Sequence, residues 1–270
     1  MTTASAPAKI NLALVVGPRR PDGKHEVATV LQRVDLADSL SLEPAATLRV
    51  SGFEGDTLVT RALEELAAAT GVEPGWHVRI DKRIPVAAGL AGGSSDAATA
   101  LRLANDTLPE PLPPERLSSL AAGIGADVPF FLAEGPQLGT GDGTQLRLLD
   151  LPLGYHVFVL LPEGESKAST GAVYETFDER GGAAGFESRR GELTRALESV
   201  AAPHDLAALP RNDLAFSPLA ARLEALGAFR ADVSGAGPAV YGLFEQEADA
   251  ARAAAELGSP GATWVCAPTW

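Results

Sequence analysis

The sequence has a single cysteine, Cys266, among its 270 residues. One thiol excludes an internal disulfide framework and any metal site built from several cysteines. Such cysteine usage is typical of a reducing compartment, so the expected location is cytoplasmic. The chain also lacks any apolar run near the roughly 18 residues of a membrane span, and its start, MTTASAPAKINLAL, has no apolar stretch behind a basic patch. We therefore expect a soluble, unprocessed protein without a membrane partner.

Positive charge is scarce as well. Lysine and arginine number 22 against 35 aspartates and glutamates, which leaves a net charge of −13. A field of that sign repels phosphates, so the composition disfavours sequence-independent binding to nucleic acid. Any anion site must be built locally. The hydrophobic fraction of 46% is sufficient for the core of one large domain or two modest ones.

Strand and helix patterns alternate along the chain without an internal repeat. Asp56 and Gly71 bracket an apolar periodic segment and predict the start and end of a helix. The apolar strand pattern YHVFVLLP opens a second part of the chain, so we place a domain boundary near residue 152, between residues 1–152 and 153–270. The glycines and charges of residues 178–192 predict a mobile surface loop.

Residues 83–101, RIPVAAGLAGGSSDAATAL, place glycines and serines directly before an alanine-rich helical pattern. Glycine lets the backbone turn tightly and approach a ligand, and the first amides of a helix point outward with partial positive charge. Together they predict a phosphate cradle, followed by a helix from Ser94 to about Leu108. Ser94 and Ser95 would cap this helix, and one hydroxyl could also bind Mg²⁺ or phosphate. An ordinary N-cap with a tight turn is the alternative interpretation.

Two common nucleotide-binding motifs are absent from the sequence. G-x-x-x-x-G-K-[ST] does not occur, and glycines at 89, 92 and 93 do not form G-x-G-x-x-G, so a dinucleotide-binding fold is disfavoured. No cluster of histidine, cysteine or carboxylate residues has the spacing of a permanent metal site. The sequence thus specifies no set of metal ligands, and Mg²⁺ would arrive with a nucleotide.

Four segments together resemble the GHMP kinase superfamily. The segment IPVAAGLAGGSSDAATAL is similar to the ATP-binding motif of that superfamily. The others are APAKINLAL with GPRRPDGKHEVATVLQRVDLAD, then GADVPFFLAEGPQLGTGDG, and finally RNDLAFSP with VSGAGPAVYGLF. In order and spacing they resemble the members that phosphorylate a cytidine-diphosphate-linked methylerythritol. The resemblance spans nearly the whole chain.

The resemblance implies an α+β, two-domain GHMP kinase fold, with an N-terminal ATP-binding domain like domain 2 of ribosomal protein S5 and a ferredoxin-like C-terminal domain. It also implies ATP with Mg²⁺ as cofactor, small-molecule substrates, and phosphorylation of one hydroxyl in non-mevalonate isoprenoid biosynthesis. We expect a monomer or a homodimer. The implied ATP-binding residues form one continuous segment: Pro85, Val86, Ala87, Ala88, Gly89, Leu90, Ala91, Gly92, Gly93, Ser94 and Ser95.

Lys9 and Asp127 match the catalytic positions of the resembled family. Phosphoryl transfer needs mainly two aligned oxygens and a neutralised transferring group. Lys9 would stabilise charge beside the attacking hydroxyl and the γ-phosphate, and Asp127 would orient or accept the hydroxyl proton. Taken alone, Lys9 is more typical of a surface lysine, and Asp127 is equally consistent with the N-cap of a helix that begins near Pro129.

The expected substrate-binding residues are Asn11, Lys24, His25 and Tyr174. His25 would hydrogen-bond the base and Tyr174 would stack on it, whereas Lys24 stands where the family usually has a second stacking aromatic. A turn role for His25, a packed helix role for Tyr174 and an edge role for Asn11 are the alternatives. The lysine leaves open a kinase for another alcohol, and a non-catalytic metabolite-binding member is a further alternative. Whether Lys167 reaches a phosphate is also open.

Overall fold

The computed structural model describes residues 1–164, 169–258 and 261–270. Within these ranges the strands are β1 (Thr2–Arg19), β2 (His25–Pro44), β3 (Arg49–Ser51), β4 (Trp76–Asp81), β5 (Gln137–Gly141), β6 (Gln145–Leu148), β7 (His156–Pro162), β8 (Arg230–Val233), β9 (Val240–Phe244), β10 (Gly261–Cys266) and β11 (Pro268–Thr269). The α-helices are α1 (Leu58–Thr70), α2 (Gly92–Asn105), α3 (Pro114–Ile124), α4 (Thr170–Glu179), α5 (Phe186–Ser199), α6 (Pro218–Ala225) and α7 (Glu247–Leu257). The α+β class is confirmed.

Contacts divide the chain into two compact units that alternate along the sequence. The first unit consists of Met1–Ala8, Leu36–Val86 and Ala91–Glu134. The second unit consists of Lys9–Asp35, Ala87–Leu90 and Gly135–Trp270. The domain boundary near residue 152 stays a prediction beside this division.

Helix α1 of the first unit ends where the sequence predicts, and its N-cap is Thr57, one residue after the predicted Asp56. The Asp56 carboxylate accepts the backbone N–H groups of Val59 and Thr60, at 3.0 Å each. Gly71 ends the helix in the left-handed conformation at φ 70°, which costs glycine nothing. Apolar residues at three- and four-residue spacing form the buried face, which packs on α2.

Helix α2 starts earlier than the sequence predicted. Its first residue is Gly92 and its N-cap is Ala91, so the expectation that Ser94 and Ser95 cap the helix is wrong. The first intrahelical bond runs from the Ser95 N–H to the Ala91 carbonyl, at 3.0 Å. Gly92 permits this start because a Cβ there would lie 2.9 Å from Ile84 Cγ2. Both serines therefore lie inside the first turn.

Sheet pairing in the first unit involves the second half of β2. Strand β4 pairs antiparallel with it, with Leu40 opposite Ile80, and β3 runs parallel to β4. Helix α2 is buried along nearly its whole length, and α3 and the short 3-10 helix Pro129–Leu132 also pack on it. Such burial suits a helix whose residues are mostly small, with alanine, glycine and serine beside two leucines.

The second unit contains two antiparallel systems. The first half of β2 pairs with β5, which continues through a glycine-containing turn into β6. The other system has the strand order β10-β7-β9-β8. Helices α6 and α7 pack on this sheet around Phe158, Leu223 and Phe244, all fully buried.

Residues 178–192 are ordered by packing, so the prediction of a mobile surface loop is wrong. Helix α5 begins inside this segment, and Phe186 is buried. Arg189 pairs with Asp213 at 3.0 Å and donates to the Val16 carbonyl at 3.1 Å. The charges of this segment suggest a solvated loop. In the structure, the Arg189 side chain instead donates hydrogen bonds to carbonyls of the surrounding chain.

A membrane-spanning helix is not found among the residues described, since none of their helices is both long and apolar enough.

Two glycines with similar backbone conformations allow a matched test of packing. Gly52 and Gly71 have φ values of 86° and 70°; a Cβ at Gly52 would lie 2.1 Å from the Ile80 carbonyl oxygen, whereas Gly71 has no atom within 4 Å of such a Cβ. Gly71→Ala should lower the free energy of unfolding by ~1 kcal/mol, the cost of the left-handed region alone. Gly52→Ala should cost clearly more in chemical denaturation, because strand β4 must also shift. Equal losses would contradict the close approach.

Candidate active site

The glycine-rich segment enters the left-handed region at every second residue. Ala87, Gly89 and Ala91 have φ values of 57°, 85° and 54°. This conformation costs alanine roughly 1 to 2 kcal/mol. Backbone strain of this kind persists only where the surroundings impose it, and it is common at ligand-binding loops.

Protein donors hold three successive carbonyls of this segment within the second unit. The Lys9 N–H binds the Leu90 carbonyl at 3.1 Å, the Ala239 N–H binds that of Ala88 at 3.0 Å, and the Ser234 hydroxyl binds that of Gly89 at 3.0 Å. A Cβ on Gly89 would lie 2.2 Å from the Ser234 carbonyl oxygen. The glycine turn of VSGAGPAVYGLF, one of the segments that carry the resemblance, therefore lies against this segment.

Lys9 and Asn11 lie together on β1 and are both buried, at 3% and 4% exposure. The Lys9 ammonium donates to Asn11 Oδ1 at 2.5 Å. A Cβ on Gly235 would lie 3.4 Å from both Lys9 Nζ and Asn11 Oδ1, so the backbone of the glycine turn covers this pair. The surface-lysine alternative for Lys9 is therefore wrong. The structure brings Lys9 and Asn11 to residues 88–90.

The first turn of α2 contains a buried hydroxyl that remains unsatisfied. Ser95 is fully buried, and its Oγ has no hydrogen-bond partner in the ranges that the structure describes. Buried hydroxyls are normally paired, so an unpaired one is a candidate for ligand contact. Gly92 and Gly93 precede it, and Cβ atoms on them would approach Ile84 and Leu58. The turn thus needs small residues for its own packing.

A buried ion cluster in the first unit fixes the segment's entry and the start of α2. Lys82 Nζ lies 2.6 Å from Asp38 Oδ2 and 2.8 Å from Asp96 Oδ2. Asp38 Oδ1 also accepts the backbone N–H groups of Arg83 and Ile84, at 2.5 and 2.8 Å. Sequence reasoning missed this cluster, because three charged residues far apart in the chain carry no motif.

Burial and charge shift the titration of this cluster. Burial, together with the nearby Asp38 charge, raises the pKa of Asp96 to about 7, against the opposing effect of the Lys82 hydrogen bond. Burial tends to lower the pKa of Lys82, but its hydrogen bonds to the two carboxylates outweigh that and raise it. The lysine stays charged, and the proton that this cluster exchanges near neutrality belongs to Asp96.

Asp127 lies in the turn between α3 and the 3-10 helix Pro129–Leu132, and it is half-buried. The N-cap of the 3-10 helix is Val128, so the alternative of Asp127 as N-cap is wrong. The 3-10 helix packs on α2, in the same unit as Ser94 and Ser95.

His25 and Tyr174 come together in the second unit. Their rings stack at 4.7 Å between centroids with an interplanar angle of 27°. His25 Nε2 lies 2.8 Å from Asp178 Oδ1, and Arg19 pairs with the other oxygen of Asp178 at 3.3 Å. Tyr174 also packs against the apolar cluster around Phe177, which agrees with the alternative of a packed helix residue.

Lys24 is held by a partner that the sequence did not indicate. Its ammonium lies 2.5 Å from Asp142 Oδ2, in the turn between β5 and β6. Burial acts to raise the pKa of Asp142, but the hydrogen bonds from Lys24 and Thr144 outweigh it and lower that pKa to about 2. The Lys24 side chain is 52% exposed, so it remains accessible to a ligand. Lys167, whose role the sequence left open, lies outside the described residues.

Two family models match the chain. The model of the GHMP kinases N terminal domain matches residues 57–135, and the model of the GHMP kinases C terminal domain matches residues 184–263. A 4-diphosphocytidyl-2-C-methyl-D-erythritol kinase from Geobacter sulfurreducens is 38% identical and covers 94% of each chain. One from Gloeobacter violaceus is 39% identical over 95% of this chain and 90% of its own.

Solved structures agree with these relatives. A crystal structure of 4-(cytidine 5'-diphospho)-2C-methyl-D-erythritol kinase has a TM-score of 0.79 and 32% identity, and the match covers 100% of both chains. A mevalonate kinase structure has a TM-score of 0.76 at 13% identity, covering 100% of this chain and 99% of its own. The second likeness concerns the fold alone.

The titration of Asp96 predicts a pH-dependent effect of its substitution. Because the folded state retains a proton on Asp96 that the unfolded state releases between about pH 4 and 7, the contribution of Asp96 to stability falls across this range. Asn cannot titrate. The Tm of Asp96→Asn minus that of the natural protein should therefore rise between pH 4.5 and 7.5 by about 2 °C or more, ~1 kcal/mol for a chain of this size.

Asp106→Asn is the matched control, since Asp106 is an exposed carboxylate at the other end of the same helix. Its Tm difference should stay flat over the same range. A flat difference for Asp96→Asn as well would contradict the assignment of the titrating proton.

Proposed function

This chain belongs to the 4-diphosphocytidyl-2-C-methyl-D-erythritol kinase family of the GHMP kinases, and from that membership we propose that it transfers the γ-phosphoryl group of ATP to the 2-hydroxyl of 4-diphosphocytidyl-2-C-methyl-D-erythritol. The single observation that carries the proposal is 38% identity across 94% of a kinase of that name. The expected two-domain GHMP kinase fold is confirmed. The chain is an ATP-dependent small-molecule kinase.

Lys9 is proposed to stabilise the negative charge that develops during transfer. The acceptor oxygen bonds to the γ-phosphorus as the bond between that phosphorus and the β,γ-bridging oxygen breaks, and ADP leaves. A buried ammonium already fixed by Asn11 can act on this charge without reorganising, which favours catalysis. The hydrogen bond from its own backbone to Leu90 supports a location beside the ATP-binding segment.

Asp127 is proposed to orient the acceptor hydroxyl and to receive its proton. A carboxylate in a turn, preceding a 3-10 helix that packs on α2, is held by rigid neighbours on its C-terminal side. General-base assistance of this kind contributes about 10² to 10⁴ in rate.

Residues 85–95 are proposed to bind the ATP phosphates. The strained backbone, the hydrogen bonds that hold its carbonyls and the start of α2 without a side-chain cap support this role. Mg²⁺ is proposed to accompany ATP, where it would neutralise phosphate charge. The buried, unpaired Ser95 hydroxyl fits a hard cation that prefers oxygen, and Ser95 is the residue that would contribute a ligand.

The cytidine end of the substrate is proposed to bind near His25, Tyr174, Lys24 and Asn11. His25 covers one face of Tyr174, so the base would have to use the other face or displace the histidine. Lys24 offers its methylene stem and a paired ammonium in place of an aromatic ring. We further propose that the protein is cytoplasmic and is a monomer or a homodimer. The sequence boundary between its two domains is proposed to lie near residue 152.

A coupled assay of ADP release tests the proposed function. With ATP, Mg²⁺ and the cytidine diphosphate methylerythritol substrate, we expect turnover that mevalonate, homoserine and galactose do not support. Asp127→Asn should lower kcat by ~100-fold or more while changing the KM for ATP by less than about 3-fold, because the residue acts on the acceptor.

Asp150→Asn is the control for loss of a carboxylate, since Asp150 is exposed just after β6. It should leave kcat unchanged. Turnover only on another alcohol would favour a GHMP kinase of different specificity, and ATP binding without any turnover would favour a non-catalytic member. Parallel losses of kcat and ATP affinity in Asp127→Asn would contradict its assigned role.

Lys24 can be tested as the substitute for a stacking aromatic. Lys24→Tyr should tighten binding of the cytidine diphosphate substrate about 5-fold or more in calorimetry, because a base stack contributes roughly 1 to 3 kcal/mol. Lys24→Met is the control: it loses the ammonium and the ion pair with Asp142, as Lys24→Tyr does, but gains no ring. It should therefore not tighten binding. Unchanged or weaker affinity in Lys24→Tyr would show that the lysine makes a useful contact of its own.

A further inference from the structure

The side-chain amide of Asn11 lies between two buried side chains, of which one needs a hydrogen-bond acceptor and the other a hydrogen-bond donor. Lys9 Nζ is 2.5 Å from Asn11 Oδ1, and Asn11 Nδ2 is 2.8 Å from Thr29 Oγ1. The three residues are 3%, 4% and 5% exposed, so water does not readily replace a lost partner. Which end of the amide faces Lys9 is therefore decided by the protein.

Thr29 decides this orientation through its own proton. The Thr29 hydroxyl donates to the Ala13 carbonyl at 2.8 Å, on the strand that carries Lys9. Having one proton, the hydroxyl can only accept on the side that faces Asn11, so the amide NH₂ must point there. The amide oxygen is left to face Lys9, whose ammonium can only donate. The sequence of donors runs in one direction, from Lys9 through Asn11 and Thr29 to Ala13.

The backbone at Asn11 is fixed as well. The Tyr241 hydroxyl donates to the Asn11 carbonyl at 2.9 Å. Burial raises the pKa of Tyr241 to about 12, so this hydroxyl keeps its proton and remains a donor at neutral pH. With the backbone held, the remaining freedom of Asn11 is the orientation of its side-chain amide.

We propose that Thr29 is a positioning residue, which sets the polarity of the Asn11 amide and thereby holds the Lys9 ammonium in place for phosphoryl transfer. This inference rests on the proposed catalytic role of Lys9. Without the hydroxyl, the amide loses the acceptor for its NH₂ and can rotate. An amide NH₂ turned toward Lys9 would set donor against donor and take this acceptor away from the ammonium.

Thr29→Val removes the hydroxyl with little change of shape, and Thr29→Ser keeps it. We expect Thr29→Val to lower kcat ~10-fold or more, the size typical of losing a partner that orients a functional group. The KM for ATP should change less than about 2-fold, because positioning of the ammonium, and not nucleotide binding, is affected. Thr29→Ser should recover most of kcat. Thr140→Val is the matched control, since Thr140 on the neighbouring strand β5 also bonds a carbonyl, that of Gln145.

A loss of kcat shared by Thr29→Val and Thr140→Val, or not recovered in Thr29→Ser, would overturn the proposal. A readout independent of activity keeps it separate from the proposed function. In amide-proton NMR of the free protein, the Asn11 side-chain NH₂ should exchange slowly with solvent, and it should do so at least about 10-fold faster in Thr29→Val. Unchanged exchange overturns the inference even if the enzyme is active. Faster exchange without kinase activity in the natural protein would overturn the proposed function alone.

Discussion

Hydrogen bonds to three successive carbonyls, those of Ala88, Gly89 and Leu90, are the constraint on which the candidate site depends. Carbonyl oxygens repel phosphates, so a loop that binds phosphates must point its carbonyl oxygens toward other groups. Here those groups are the donors of Lys9, Ser234 and the backbone of the 234–239 turn. The same bonds impose the left-handed conformations at Ala87 and Gly89. Because Lys9 is one of the donors, the geometry of the loop and of the proposed catalytic lysine are set together.

The buried charged groups around the site are costly, and each has hydrogen-bond or ion-pair partners, whereas the buried Ser95 hydroxyl has none among the described residues. In the second unit the direction of donation runs from Lys9 through Asn11 to Thr29, and in the first unit Lys82 joins Asp38 and Asp96. Burying a charge without a partner costs several kcal/mol. A buried charge therefore stays with its partner, which leaves its side chain few alternative positions. Burial thus exchanges some stability for fixed geometry, and catalysis depends on that geometry. The raised pKa of Asp96 expresses the same cost in the other unit.

The part of the site proposed to bind the base differs in kind. His25, Tyr174 and Asp178 form a small polar and aromatic group, while Lys24 and Asp142 form an exposed ion pair beside a turn. Exposed ion pairs contribute little to stability, so the pair can rearrange when a ligand arrives. The proposed phosphate-binding segment is thus held by its hydrogen bonds, whereas the proposed base-binding part has an exposed and adaptable member in Lys24.

Local signals were sufficient to predict most elements of the fold. The helix start near Asp56, the helix end at Gly71 and the glycine-rich turn before α2 rest on residues close together in the chain, where periodicity and turn chemistry act. The family resemblance adds the order and spacing of four such local segments. Other features depend on residues distant in sequence. The start of α2 at Gly92 depends on Ile84, the order of residues 178–192 depends on Arg189 reaching Asp213 and Val16, and the orientation of Asn11 depends on Thr29. The sequence by itself determined where turns and helices lie along the chain and which residues are candidates for function. Tertiary structure alone decided which buried donors meet which acceptors, because those partners become neighbours only when the chain folds.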